Sequence, residues 1–268
     1  MAKKEKESPK ETPAKETGES GRMPFTAHLE ELRWRLVRGM IAIAIGFGIC
    51  YYYSKPLFRL MMVPLLNAMP EGNKQLIYTG LPEAFFTYMK VGFWGGMILV
   101  MPYLLYQSWG FVAPGLYKNE KGALTPFVFF STILFLVGGA FGYFIVFPYG
   151  FKFFLAFSDE TLLALPSVKE YFSLSLKLLF GFGIIFQLPL VMIFMAKIGL
   201  VNAPKLAKGR KWAVLLIFIV AAILTPPDVI SQLMMAAPLL VLYEISIILV
   251  RIMNRKKEKT ASEETLAG

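Results

Sequence analysis

The 268 residues are 56% hydrophobic and 17% charged, with a mean hydropathy of +0.56, whereas soluble domains carry about 25% charged residues. Of the 46 Asp, Glu, Lys and Arg, 24 lie in residues 1–38 and 251–268, which leaves 22 for the 212 residues between. A stretch so poor in charge cannot clothe a water-facing globule, so the arithmetic excludes a soluble enzyme and implies an all-α, polytopic membrane protein. The net charge of +10 sits in the tails and one loop, beside apolar runs. That is the placement positive-inside topology requires, and it argues against nucleic-acid binding.

Residues 1–22 are Lys-, Glu-, Pro- and Ser-rich and hold nothing apolar larger than Ala after Met1. They bury too little to offset ordering entropy and are expected to form a disordered cytoplasmic tail. The membrane domain is expected over 23–250, followed by a second disordered tail over 251–268. Six apolar runs approach the ~20 residues needed to cross ~30 Å of hydrocarbon: 36–53, 85–109, 123–147, 171–196, 211–224 and 230–250. Runs such as 41–45 and 214–223 are apolar on every face, which suits helices and not the alternating strands of a barrel. The fifth run is short and the sixth is expected to be short as well. Pro102, Pro189 and Pro238 fall inside apolar runs and are expected to kink or break their helices. With the N-terminus inside, Lys and Arg divide 21 to 5 between the two sides, a strong vote for cytoplasmic N- and C-termini in a multi-pass membrane protein.

Catalytic chemistry finds little to work with. Asp159 and Asp228, the only aspartates, fall at loop positions, and the single histidine, His28, has no second metal ligand at a useful spacing. There is no Walker-type glycine loop either. The chain is read as a non-enzyme with no cofactor and no metal. Cys50, alone in an apolar run, is a small buried hydrophobe.

The functional candidates are polar groups in costly places. Gln187, beside Pro189 near the middle of the fourth run, and Glu244, inside the sixth, are candidates for an intramembrane polar face; an interhelical hydrogen bond explains either without function. Ahead of the first run, Leu29, Leu32 and Leu36 form a helical stripe, with Glu30, Glu31, Arg33 and Arg35 beside it. A Glu31–Arg35 pair on an amphipathic interfacial helix is the plain reading. Between the second and third runs lies a rigid aromatic loop from Phe111 through Tyr117 to the carboxylate of Glu120. After the fifth, Thr225-Pro226-Pro227-Asp228 forces a sharp turn in which Asp228 is placed to cap the next helix.

Three of these segments in this order, His28-Leu29-Glu30-Glu31-Leu32-Arg33-Trp34-Arg35-Leu36, Phe111-Val112-Ala113-Pro114-Gly115-Leu116-Tyr117 with Glu120, and Leu224-Thr225-Pro226-Pro227-Asp228, resemble the TatC family, the receptor core of the twin-arginine protein translocase. The resemblance covers roughly residues 23–250. It implies recognition of twin-arginine signal peptides on folded cargo proteins, with Glu31, Arg33, Phe111, Tyr117 and Glu120 as the binding patch. Carboxylates suit that task because they accept a guanidinium bidentately. It further implies single-span TatA- and TatB-type partners, a homo-oligomer within the complex, transport driven by the proton-motive force, and a transport or assembly role for Pro226 and Asp228. Family members often carry glutamate where Gln187 stands, so a role needing an ionised group there does not carry over, while a hydrogen-bonding role stays open. The alternative class, a small-solute or ion secondary transporter, is expected to show internal repeats around a midplane ion site; this chain has no clear repeat and few buried charges.

Overall fold

The computed structural model describes residues 25–70, 75–78, 80–112, 124–157, 165–225 and 228–267. The expected N-terminal tail lies outside them. Among the described residues every regular element is helical, apart from one isolated bridge between Ile77 and Ser167.

The first helix, α1 (Phe25–Tyr52), has no proline and runs unbroken through the charged segment and the first apolar run. The stripe of Leu29, Leu32 and Leu36 therefore belongs to the first spanning helix and is exposed along it, and does not form a separate interfacial helix. Next comes α2 (Ser54–Ala68), a helix between the first two apolar runs that the hydropathy pattern does not reveal. Its charges and prolines hide an amphipathic helix that packs on the later helices at Glu83–Leu99 and Phe147–Leu155. Pro64 has no N–H for the Leu60 carbonyl four residues back. Tyr143 Oη donates to that carbonyl instead, at 2.6 Å, and Tyr171 Oη donates to the Met61 carbonyl beside it.

The second span is two helices, α3 (Glu83–Leu99) and α4 (Met101–Val112), bent by 55° at Val100, just before Pro102. The third comprises α5 (Leu124–Phe141), a π-helical turn at Gly142–Val146, and α6 (Phe147–Leu155). In the fourth, α7 (Val168–Ile185) breaks at Phe186-Gln187 before α8 (Leu188–Lys197), with Pro189 in the first turn of the new helix. Gly199, at φ 79°, follows α8 in the left-handed conformation that glycine alone adopts without strain. A short α9 (Ala203–Lys208) leads to α10 (Arg210–Leu224), which at 15 residues rises about 22 Å. The fifth segment is short, as expected.

The sixth is not. Helix α11 (Val229–Ala267) has 39 residues, of which Val229–Arg255 is long and apolar enough to span. Pro238 lies inside it without ending it. Met235, Ala236 and Leu239 around the proline are at most 2% exposed, so packing outweighs the lost hydrogen bond. Nor does the helix stop at the expected tail: it continues to Ala267, because residues 251–267 include many strong helix formers and neither Pro nor Gly.

Three glycines let helix backbones approach closely. Gly96 of α3 lies on the backbone of Gly46 and Phe47 in α1, and Gly92 on that of Tyr51, while Gly138 of α5 meets the Phe182 carbonyl of α7. This is the small-residue packing of membrane helices, where close approach replaces a hydrophobic driving force. Fully buried Phe147, Phe172 and Phe182 fill the main core, together with Met235, Ile247 and Val250 of α11.

Candidate functional site

Four residues per turn-and-a-bit bring Glu31 and Arg35 onto one face of α1. Arg35 Nε and Nη2 both donate to Glu31 Oε1, at 3.0 and 2.6 Å. Across the groove on α4, Arg35 Nη1 donates to the carbonyl and Oε1 of Gln107, at 3.2 and 3.4 Å. Gln107 is buried and its amide donates to Tyr103 Oη at 2.7 Å. Gly110 makes this approach possible, since a Cβ there would stand 2.4 Å from Arg35 Nη1. One turn further, Phe111 stacks on His28 with ring centroids 4.3 Å apart. The guanidinium is thus held on α4, and the carboxylate is held by the guanidinium.

That arrangement leaves one group over. Glu31 Oε2 is buried and has no hydrogen-bond partner among the described residues. A buried carboxylate oxygen without a donor costs about 1–3 kcal/mol or more. An additional N–H donor arriving here relieves it, and a second guanidinium is the geometry best suited to do so.

Of the sequence-derived patch, the structure brings Glu31 and Phe111 to neighbouring turns of α1 and α4. Arg33 is exposed on another face of α1; Tyr117 and Glu120 lie outside the described residues. Gln107 and Gly110 were missed. Gln107 had a signal, a polar side chain within an apolar run, by the same reasoning that singled out Gln187.

Gln187 sits at the α7–α8 break. Its Oε1 accepts from Ser131 Oγ, its Nε2 donates to the Ser131 carbonyl at 2.9 Å, and Trp109 Nε1 donates to Ser131 Oγ at 2.9 Å. Both ends of the amide are used, so the neutral side chain suits this place as a link between α5 and the α7–α8 break. Glu244 is elsewhere. Half exposed, it takes a bidentate pair from Arg210 at 2.7 and 2.9 Å. The described contacts of the two residues are on different helices, α5 for Gln187 and α10 for Glu244, and do not join them in one polar face.

Pro226 lies outside the described residues. Asp228 Oδ1 accepts the Ser231 N–H at 2.7 Å, an N-cap of α11, while Oδ2 and Ser231 Oγ are buried with no partner among the described residues. Asp228→Asn is expected to keep the thermal midpoint, and Asp228→Ala to lower stability by about 1 kcal/mol, as read by unfolding in detergent.

At the other end of α3, sequence reading overlooked Glu83. It is 8% exposed. Its Oε1 accepts from Ser167 Oγ at 3.0 Å and from the Lys169 N–H at 2.8 Å, and its Oε2 accepts the Gly80 N–H at 3.3 Å. Beside it, the Ile77 N–H donates to the Pro166 carbonyl at 3.1 Å and the Val168 N–H donates to the Ile77 carbonyl at 2.9 Å, which pairs the two loops. Among the described residues no cluster of His, Cys, Asp or Glu is arranged to hold a metal.

Comparison with known proteins places these features in context. Residues 27–238 match the family described as Sec-independent protein translocase protein (TatC). The chain is 54% identical over 245 residues to the Sec-independent protein translocase protein TatC of Desulforapulum autotrophicum, covering 91% of this chain and 90% of that one. It is 46% identical over 242 residues to the corresponding protein of Magnetococcus marinus, covering 90% and 89%. A crystal structure of the twin arginine translocase receptor TatC in DDM superposes with a TM-score of 0.76 at 42% identity, covering 84% of this chain and 99% of that one.

Proposed function

Because this chain belongs to the TatC family of Sec-independent protein translocase proteins, we propose that its α1–α4 groove receives the paired arginines of a signal peptide. Family membership makes it a multi-pass membrane component of the twin-arginine translocase, a transport protein and not an enzyme. The observation that carries the finer reading is the partnerless Oε2 of Glu31 beside a carboxylate oxygen already fixed by Arg35. On this reading Glu31 and Glu120 are the acceptors for the two guanidiniums, with Arg33, Phe111 and Tyr117 around them, and folded cargo follows its signal peptide into transport powered by the proton-motive force. TatA- and TatB-type single-span proteins and further copies of the chain complete the complex. The 21 to 5 division of Lys and Arg supports cytoplasmic termini in the bacterial inner membrane, with residues 23–250 as the membrane domain. Gln187 acts as a hydrogen-bonding member of the intramembrane surface, and Pro226 and Asp228 act later, in transport or assembly.

Photocrosslinkers at Phe111 and Glu120 test the receptor site. Both are expected to capture a twin-arginine signal peptide and to lose most of that capture with a twin-lysine control. Equal capture of the two peptides rejects it. For Asp228 the export rate decides: an asparagine variant that binds signal peptide and exports cargo at the native rate reduces Asp228 to a helix cap.

A further inference from the structure

A cavity of about 680 Å³ opens at the end of the bundle away from Glu31, lined by Phe47 of α1, by Glu83, Phe86, Met89, Lys90 and Phe93 of α3, and by Lys169 of α7. Phe47 lies 16 residues beyond Glu31 on α1, about 24 Å along the helix axis. Phe86, Lys90 and Phe93 recur at helical spacing and form one stripe on α3, where Phe86 is 53%, Met89 37% and Phe93 40% exposed. On membrane-spanning helices such a stripe faces hydrocarbon or whatever replaces it. The two lysines are the unusual feature. Both are exposed, and among the described residues neither joins a salt bridge. Glu83 also lines the cavity, but its oxygens already accept from Ser167, Gly80 and the Lys169 N–H. Only five Lys and Arg lie between the apolar runs assigned to this end, yet one of them, Lys169, lines the same largely apolar cavity as Lys90.

We infer that this cavity binds an anionic phospholipid of the leaflet at that end, its phosphate between Lys90 and Lys169 and an acyl chain along Phe47, Phe86 and Phe93. The charge pattern selects the headgroup: Lys90 and Lys169, neither in a salt bridge among the described residues, outnumber the single carboxylate of Glu83 in the lining and leave the cavity net positive. That complements a net-negative phosphodiester, whereas a zwitterionic headgroup brings a cation of its own into the same space. The apolar wall selects a lipid over a soluble phosphate, because the aromatic stripe contributes only to a ligand that carries a chain.

The full-length protein, purified in detergent and exchanged into nanodiscs of equal phosphatidylglycerol and phosphatidylcholine, is then released for native mass spectrometry. Retention of phosphatidylglycerol over phosphatidylcholine by about tenfold is expected, two basic residues acting on one headgroup. Lys90→Gln with Lys169→Gln should remove that preference. Lys90→Arg with Lys169→Arg should keep it, and so should Lys205→Gln with Lys208→Gln, which removes the same charge elsewhere. Equal retention of the two lipids by the native protein overturns the inference even if no variant folds. So does an undiminished preference in the Lys90 and Lys169 glutamine pair, or a loss as large in the Lys205 and Lys208 pair. Displacement of the lipid by millimolar glycerol 3-phosphate assigns the site to free phosphates and rejects the lipid.

Discussion

Replacing Glu31 by lysine is expected to lower affinity for a twin-arginine signal peptide about hundredfold while the protein remains folded in the membrane. A charge-assisted hydrogen bond to a partly desolvated carboxylate contributes about 1.5–3 kcal/mol, and each decade of affinity is about 1.4 kcal/mol. Lysine removes both acceptor oxygens and sets a second cation directly against Arg35. Glutamine at the same position keeps one acceptor for Arg35 and should lose closer to tenfold. Arg35 is central to the contrast because it is bonded to Glu31 and to Gln107 at once; if Glu31→Lys leaves titrated binding of a labelled peptide unchanged, the groove is a helix junction and nothing more.

The largest loss of stability is expected at Gly96. A Cβ there would lie 2.4 Å from Phe47 N and 2.5 Å from the Gly46 carbonyl carbon, and backbone, unlike a flexible side-chain tip, cannot turn aside. Gly96→Ala therefore has to push α1 away from α3, an overpacking cost of about 1–3 kcal/mol or more. Gly48 supplies the internal contrast, since nothing lies within 4 Å of its Cβ position. Gly48→Ala should be neutral or slightly stabilising, alanine being the better helix former by up to about 1 kcal/mol. Thermal unfolding of both variants in detergent reads the difference, and similar midpoints would contradict the close α1–α3 contact.

What sequence reading recovered divides along a physical line. Composition and runs of apolar residues report on the bilayer, so the helical class and the approximate segments were visible, as was the short α10. The Glu31–Arg35 pair was visible because four residues apart on one helix is a local geometry. Gln107 lies 72 residues from Arg35, and nothing in a one-dimensional pattern joins them. Helix α2 escaped because Lys55, Pro56, Arg59 and Pro64 look like loop, while the tyrosines that repair its proline-freed turn come from distant helices. The extent of α11 was misjudged for the opposite reason. Pro238 and the charged tail are local signals for stopping, and burial of the surrounding residues overrides the first of them. Glu83 was overlooked since an acid at a helix start usually needs no explanation; only the fold reveals that Ser167 and Lys169 are its partners.

Helix breaks and loop ties together decide where the molecule can yield. The loops around Ile77 and Ser167 are riveted to each other and to the head of α3 by Glu83, so that end behaves as a stiff collar. Two of the spans held by this collar are jointed farther along, at Val100 and at Phe186-Gln187, and neither joint has continuous helical hydrogen bonding to resist bending. A load applied to α4 or α8 is therefore expected to turn these joints before it shears the packed faces of α1, α3 and α7. The Trp109–Ser131–Gln187 bonds connect the segment beyond the first joint to the second joint itself. Displacing α4 is thus mechanically geared to the hinge of α8, and a groove on α4 is well placed to act as the lever.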